Sequence, residues 1–334
     1  MSDASVIVNR DGRIGHILLN RPKALNALDL PMLRAMQAAL DEWRDDPAVH
    51  AVVIEGAGGR AFCAGGDIRA VRSLMAEGRT DEVEAFFREE YALNATIDEY
   101  PKPYVALIDG ICMGGGIGVS VHGQMRVTTE AGLFAMPETA IAMFPDVGAT
   151  FMLPRLPGEL GTYLGLTGAR MTGAEAVHAG IATHFVPRAA LPALRTELAR
   201  DGVAAVAAHA QTLPPFSLAP HRAAIDRCFG ATSVPEIIER LQHEHTDWAQ
   251  ETLATLRTVS PSSVFWSFAA MRRGGGLSLR AALAAELKLT RHVTRHPDFA
   301  EGVRAMVIDK DRQPRWSPAR MEDVDPAAIA AMLA

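Results

Sequence analysis

The first apolar stretches are short, Val6 to Val8 and Ile14 to Leu19, and Asp11-Gly12 separates them. β-Branched and large apolar residues around such a pair predict a β-hairpin. After Asn20-Arg21-Pro22 the apolar spacing becomes helical and runs from Leu30 through Trp43. Asp29 stands where an N-cap accepts amide hydrogen bonds, and Pro31 in the first turn removes none of the helix bonds. Ala51 to Ile54 predicts a strand that enters a glycine-rich loop, Glu55 to Asp67. Helical patterns follow over roughly Ile68–Glu77 and Asp81–Tyr100. Tyr104 to Ile108 predicts another strand, Met113 to His122 a helix of small residues, and Met125–Thr129 and Leu133–Ala135 further strands. Strand and helix alternate to about residue 190, the pattern of an α/β core over residues 1–190. Beyond that the periodicity is helical with little strand signal, broken at Pro214-Pro215, Pro235, Pro261 and Gly274-Gly275-Gly276. Residues 191–334 are accordingly expected to form a mostly helical C-terminal region.

Composition narrows the class without choosing a chemistry. Hydrophobic residues make up 49% and charged residues 22% of the 334, as expected for a globular chain. A formal charge of −6 gives no basic stripe for nucleic acid. No apolar run reaches the ~20 residues that cross a bilayer. Cys63, Cys112 and Cys228 are odd in number and widely spaced, which suits neither a disulfide framework nor a cysteine zinc site. The opening MSDASVIVNRDG shows no targeting pattern, and the expected location is cytoplasmic. His243-Glu244-His245 places two histidines on diverging helix faces with no third ligand, so no metal is expected.

Candidate chemistry lies in two glycine-rich segments. Ala61-Phe62-Cys63-Ala64-Gly65-Gly66-Asp67-Ile68 and Asp109-Gly110-Ile111-Cys112-Met113-Gly114-Gly115-Gly116-Ile117-Gly118 each follow a strand and lead into a helix. Amides at a helix N-terminus are free to bind an anion, and glycine lets a ligand approach the backbone. Neither segment carries the lysine and hydroxyl residue of a phosphate loop or the glycine spacing of a dinucleotide fingerprint. Each by itself can equally serve tight packing. Together they can supply one amide each to a single oxygen.

RPKALNAL (Arg21–Leu28), AFCAGGDI (Ala61–Ile68), DGICMGGGIG (Asp109–Gly118) and EGVRAMVIDKDRQPRW (Glu301–Trp316) resemble the crotonase, or enoyl-CoA hydratase/isomerase, superfamily over nearly the whole chain. The resemblance implies a crotonase-like spiral of ββα turns and an acyl-CoA substrate, with coenzyme A a part of the substrate and no separate cofactor. It places an oxyanion hole on the amides of Gly66 and Gly115. It also implies coenzyme contacts from Lys23, Ala24 and Leu25 and from the backbone of Ala64, Asp67 and Ile68. Relatives often form trimers, and a homo-oligomer is an open expectation.

The acidic residues separate the chemistries. Hydratases of this superfamily use two glutamates, and the position of the first is Gly118 here. A glycine transfers no proton. Glu138 in Met136-Pro137-Glu138 occupies the second position, and Asp146 follows in Phe144-Pro145-Asp146-Val147-Gly148. Two acids beside a pocket can divide the work of base and water positioning and raise one another's pKa. The stretch MPETAIAMFPDVGATFMLPRL is similar to the 3-hydroxyisobutyryl-CoA hydrolase subgroup of valine breakdown, as is FFREEYALN, whose Glu90 matches a substrate-contacting glutamate. The resemblance implies hydrolysis of a short 3-hydroxyacyl-CoA thioester, with Glu138 and Asp146 catalytic. The alternatives are an enoyl-CoA hydratase or isomerase, which needs another acid in place of Gly118, and a non-catalytic acyl-CoA-binding protein, which needs neither acid.

Overall fold

The computed structural model describes residues 4–333. Ten strands form in chain order: β1 Val6–Asp11, β2 Ile14–Leu19, β3 Ala51–Gly56, β4 Ala61–Cys63, β5 Tyr104–Ile108, β6 Ile111–Met113, β7 Met125–Thr128, β8 Leu133–Ala135, β9 Met171–Thr172 and β10 His184–Phe185. The first helices are α1 Leu30–Arg44, α2 Ile68–Ala76, α3 Thr80–Asp98, α4 Gly115–Val121 and α5 Ala149–Met152. The hairpin β1–β2 forms as expected, with the turn one residue later, on Gly12-Arg13, and Asp11 paired with Ile14.

The chain divides into two compact units that interleave in sequence. One holds the chain up to Asp67 with Arg88–Phe134 and Met171–Phe216; the other holds Ile68–Phe87, Ala135–Arg170 and the chain from Ser217 on. In the first unit, six strands run in the order β1-β2-β3-β5-β7-β10, and four shorter ones in the order β4-β6-β8-β9. All neighbours from β2 to β10 in the larger sheet are parallel. A long strand, a short strand of the second sheet and then a helix follow one another as β3-β4-α2 and β5-β6-α4, which is the expected ββα repeat.

The sequence explains this layering. β5 is buried at all five positions, and β3 at Ala51 to Ile54, as strands covered on both faces must be. On one face Val53, Val105, Leu107 and Val127 pack with Leu191, Leu194 and Leu198 of the helix Leu191–Asp201. α1 buries Met32, Leu33, Met36, Ala39, Leu40 and Trp43, a single stripe at helical spacing. Asp29 caps it by accepting from the Met32 amide at 3.0 Å. The regular secondary structure of the second unit is almost wholly helical. Its long helices include Pro261–Gly274 and Leu279–Val293, and Trp266 is fully buried in the first of these. Among the described residues no helix is long and apolar enough to cross a membrane.

Candidate active site

In the first unit the two glycine-rich loops meet. Gly66 forms a parallel bridge with Leu28, made by Leu28 N to Gly65 O and Asp67 N to Leu28 O, each 2.8 Å. Those bonds come from its neighbours, so the Gly66 amide stands outside them. Gly115 opens α4 after the N-cap Gly114 (φ 49), where an amide has no intrahelical partner. A Cβ added at Gly115 would lie 3.2 Å from Gly66 N, 3.3 Å from Leu28 Cδ1 and against Glu90 Oε1. The two amides and the Glu90 carboxyl therefore border one small space with Leu28 as its apolar wall. Gly65 permits this approach. It adopts φ +110, and a Cβ there would sit 3.2 Å from Met113 O.

Glu90 reaches this space from α3 and is 2% exposed. Cys63, in the same loop, is buried and free. Burial, reinforced by the nearby Glu90 charge and opposed by a hydrogen bond with Gly65, pushes its thiol up to about 12. A thiol held neutral at working pH is no nucleophile. Cys63 and Cys112 fill space.

The loop that precedes these amides is braced by residues the sequence did not single out. Arg21 donates to Asp67 Oδ2 at 3.0 Å and to Ala27 O at 2.7 Å, and pairs with Asp29 at 3.3 Å. Asn26, fully buried at φ 57, donates to Ala57 O and Ala61 O and accepts from the Arg21 amide. An asparagine followed by an apolar residue between Pro22 and α1 was the available signal, since asparagine tolerates left-handed backbone better than most residues. Leu25 is also left-handed, at φ 52, and its carbonyl accepts from Ala64 N at 3.0 Å. The amides of Ala64 and Asp67 are thus engaged within the loop. Lys23 and Ala24 lie exposed on the single turn Pro22–Ala24, and Ile68 begins α2.

In the second unit both candidate acids fall on one irregular segment. Glu138 opens the short turn Glu138–Ile141 and is 7% exposed; Asp146 is 5% exposed. The Glu138 carbonyl accepts from Met143 N at 2.9 Å, which closes the turn through Ala142 at φ 54. Helix Pro261–Gly274 braces the same segment: Ser263 Oγ and Trp266 Nε1 both donate to Met143 O, and Ser260 N donates to Thr139 O. Ser260 is in turn held by the buried Asp298, 2.9 Å away. Asp146 O accepts from Ala149 N at 2.8 Å. A further buried acid, Glu286, which no sequence motif marked, accepts from the Gly148 and Thr150 amides. Gly118 lies buried inside α4 of the first unit, where no carboxylate is supplied.

The ββα repeats and parallel sheets place the chain in the mixed α/β class, and residues 14–333 match the family model described as enoyl-CoA hydratase/isomerase; the chain belongs to that family. Among curated relatives, the mitochondrial 3-hydroxyisobutyryl-CoA hydrolase of Xenopus tropicalis is 47% identical, covering 97% of this chain and 87% of its own. The human protein of the same name is 45% identical over 96% and 86%. A crystal structure named as a carnitinyl-CoA dehydratase from Mycobacterium thermoresistibile superposes with TM-score 0.95 at 40% identity, covering 99% of this chain and 97% of its own. One named as an enoyl-CoA hydratase from Rhodobacter sphaeroides gives 0.94 at 41%, with the same coverage. The expectation of a cytoplasmic protein is corrected by these findings, because the curated relatives are mitochondrial enzymes.

Proposed function

We propose that the chain hydrolyses the thioester of 3-hydroxyisobutyryl-CoA, releasing coenzyme A and the free hydroxy acid. The observation that carries this reading is the amide pair of Gly66 and Gly115 bordering one space, in a chain whose position 118 holds glycine instead of a second glutamate. Curated relatives at 43–47% identity bear that hydrolase name. In the proposed reaction the two amides hold the thioester oxygen as negative charge develops on it. Glu138 either adds to the carbonyl carbon, giving an anhydride that water opens, or takes a proton from the water that adds. In either route collapse of the tetrahedral intermediate breaks the C–S bond, in the first route before water opens the anhydride, and the departing thiolate takes up a proton. Asp146 holds the substrate hydroxyl or orients the water, Glu90 contacts the acyl group, and the loop from Lys23 to Leu25 with Ala64, Asp67 and Ile68 takes the coenzyme.

The names of the two crystal structures favour a second reading, hydration of an enoyl-CoA. Water addition to a double bond needs one group to deliver hydroxide and another to protonate carbon, and Gly118 leaves one of these roles unfilled. One experiment separates the readings. With 3-hydroxyisobutyryl-CoA, free thiol should accumulate without an enoyl absorbance, and Glu138→Gln should lower kcat by a factor on the order of 10²–10⁴ while acyl-CoA binding persists. Turnover to the enoyl thioester without thiol release reverses the assignment. Wild-type kcat in Glu138→Gln removes that residue from the chemistry.

A further inference from the structure

Glu286 has no part in the chemistry above, yet it is 2% exposed on the helix Leu279–Val293 and turned toward the Asp146 segment. Its Oε2 accepts from the Gly148 amide at 2.8 Å. Its Oε1 accepts from the Thr150 amide at 3.1 Å and from the Thr150 hydroxyl. Those donors stand at the start of α5, where amides lack intrahelical partners, and the N-cap Gly148 has no side chain to serve them. Glu286 supplies the missing cap from 138 positions away.

The turn it caps is strained. Val147 at φ 53 and Gly148 at φ 83 are consecutive left-handed residues, and a β-branched side chain is disfavoured there. Such a conformation persists only where the surroundings over-determine it. Asp146 is the residue immediately before, and its carbonyl is tied to the same turn through Ala149 N. We propose that Glu286 is a positioning residue, which grips Gly148 and Thr150 and so fixes the Asp146-Val147-Gly148 turn in the one conformation that presents the Asp146 carboxyl for hydrolysis. This inference rests on the role given to Asp146 under the proposed function.

The charges around Glu286 give the device a pH dependence. Asp146 acts on it from the turn, while Arg273 of helix Pro261–Gly274 and Lys288 of its own helix line the same small cavity as Glu286 and Thr150. The Arg273 guanidinium is engaged by Leu333 O. Burial first, and then the Asp146 charge, push the Glu286 carboxyl up to about 8, against the pull of its three hydrogen bonds. Below that pH Glu286 is neutral; above it Glu286 carries a charge against the turn.

The test measures thiol release by wild type, Glu286→Ala, Asp146→Asn and the double variant, with circular dichroism as the check on folding. Glu286→Ala should lower kcat by about tenfold or more with KM within about threefold, and the same change in the Asp146→Asn background should cost less than about threefold. A merely structural role gives equal losses in both backgrounds, and that result, or wild-type kcat in Glu286→Ala, overturns the inference. If the alanine variant does not fold, Glu286→Gln takes its place in the cycle, since it keeps the shape and one accepting oxygen. Wild-type kcat is expected to decline above about pH 8, as Glu286 gains its charge beside the turn, and the glutamine variant should not share that decline; the same decline in both counts against the inference. Wild-type turnover by Asp146→Asn, where Glu286 is intact, sinks the parent reading separately.

Discussion

Single side chains carry most of what can be tested. Gly115 is the sharpest case, because a methyl group there would occupy the space between Glu90 and the Gly66 amide. Gly115→Ala should lower kcat by a factor on the order of 10²–10³ with little change in the circular dichroism spectrum, the loss expected when an oxyanion donor is displaced. Asn26 should behave oppositely, as a stability residue. Its loss leaves the carbonyls of Ala57 and Ala61 short of a partner inside the fold. Asn26→Ala should cost about 1–3 kcal/mol in a urea titration. At this scale the sequence named Gly66, Gly115 and Glu90, which the structure gathers around one space, because their motifs are compact and specific. It did not name Arg21 or Asn26 as braces. Their partners, Asp67 and Ala61, lie 46 and 35 positions away, and nothing local marks such a bond.

Elements were legible where a periodic pattern ran long enough. The β1–β2 hairpin, α1, β5 and the helical character after residue 191 follow from apolar spacing, turn residues and caps. The N-cap of α1 gives a clean check: Asp29→Ala should cost about 1 kcal/mol, seen as a lower thermal midpoint. The misses are short. β4, β6, β9 and β10 hold two or three residues each, too few for alternation to register, and exist because a neighbouring strand offers free backbone groups. The turn at Glu138 closes through Ala142 at φ 54 and Val147 sits at φ 53, positions where composition alone predicts glycine or asparagine. At Ala142 the left-handed backbone is a conformational cost of about 1–2 kcal/mol relative to an ordinary helical φ.

Across the molecule, stability and pH are linked through Glu286. A carboxyl whose pKa rises from 4.5 to about 8 on folding stabilises the fold fully below pH 4.5, and that contribution is lost as pH climbs through 8. Unfolding free energy should therefore decline between these limits more steeply in wild type than in Glu286→Gln; parallel curves would show that this group does not titrate there. The chain by itself determined the family, the ββα alternation and the helical character after residue 191, because each of these is written in residues close together in sequence. What only the tertiary structure decided is which loops share a space and what holds them: Gly66 beside Gly115, Arg21 on Asp67, Trp266 on Met143, Glu286 on Gly148. Those contacts join residues tens to more than a hundred positions apart. Their energies depend on burial and on which backbone groups remain unpaired, quantities that exist only once the chain has packed.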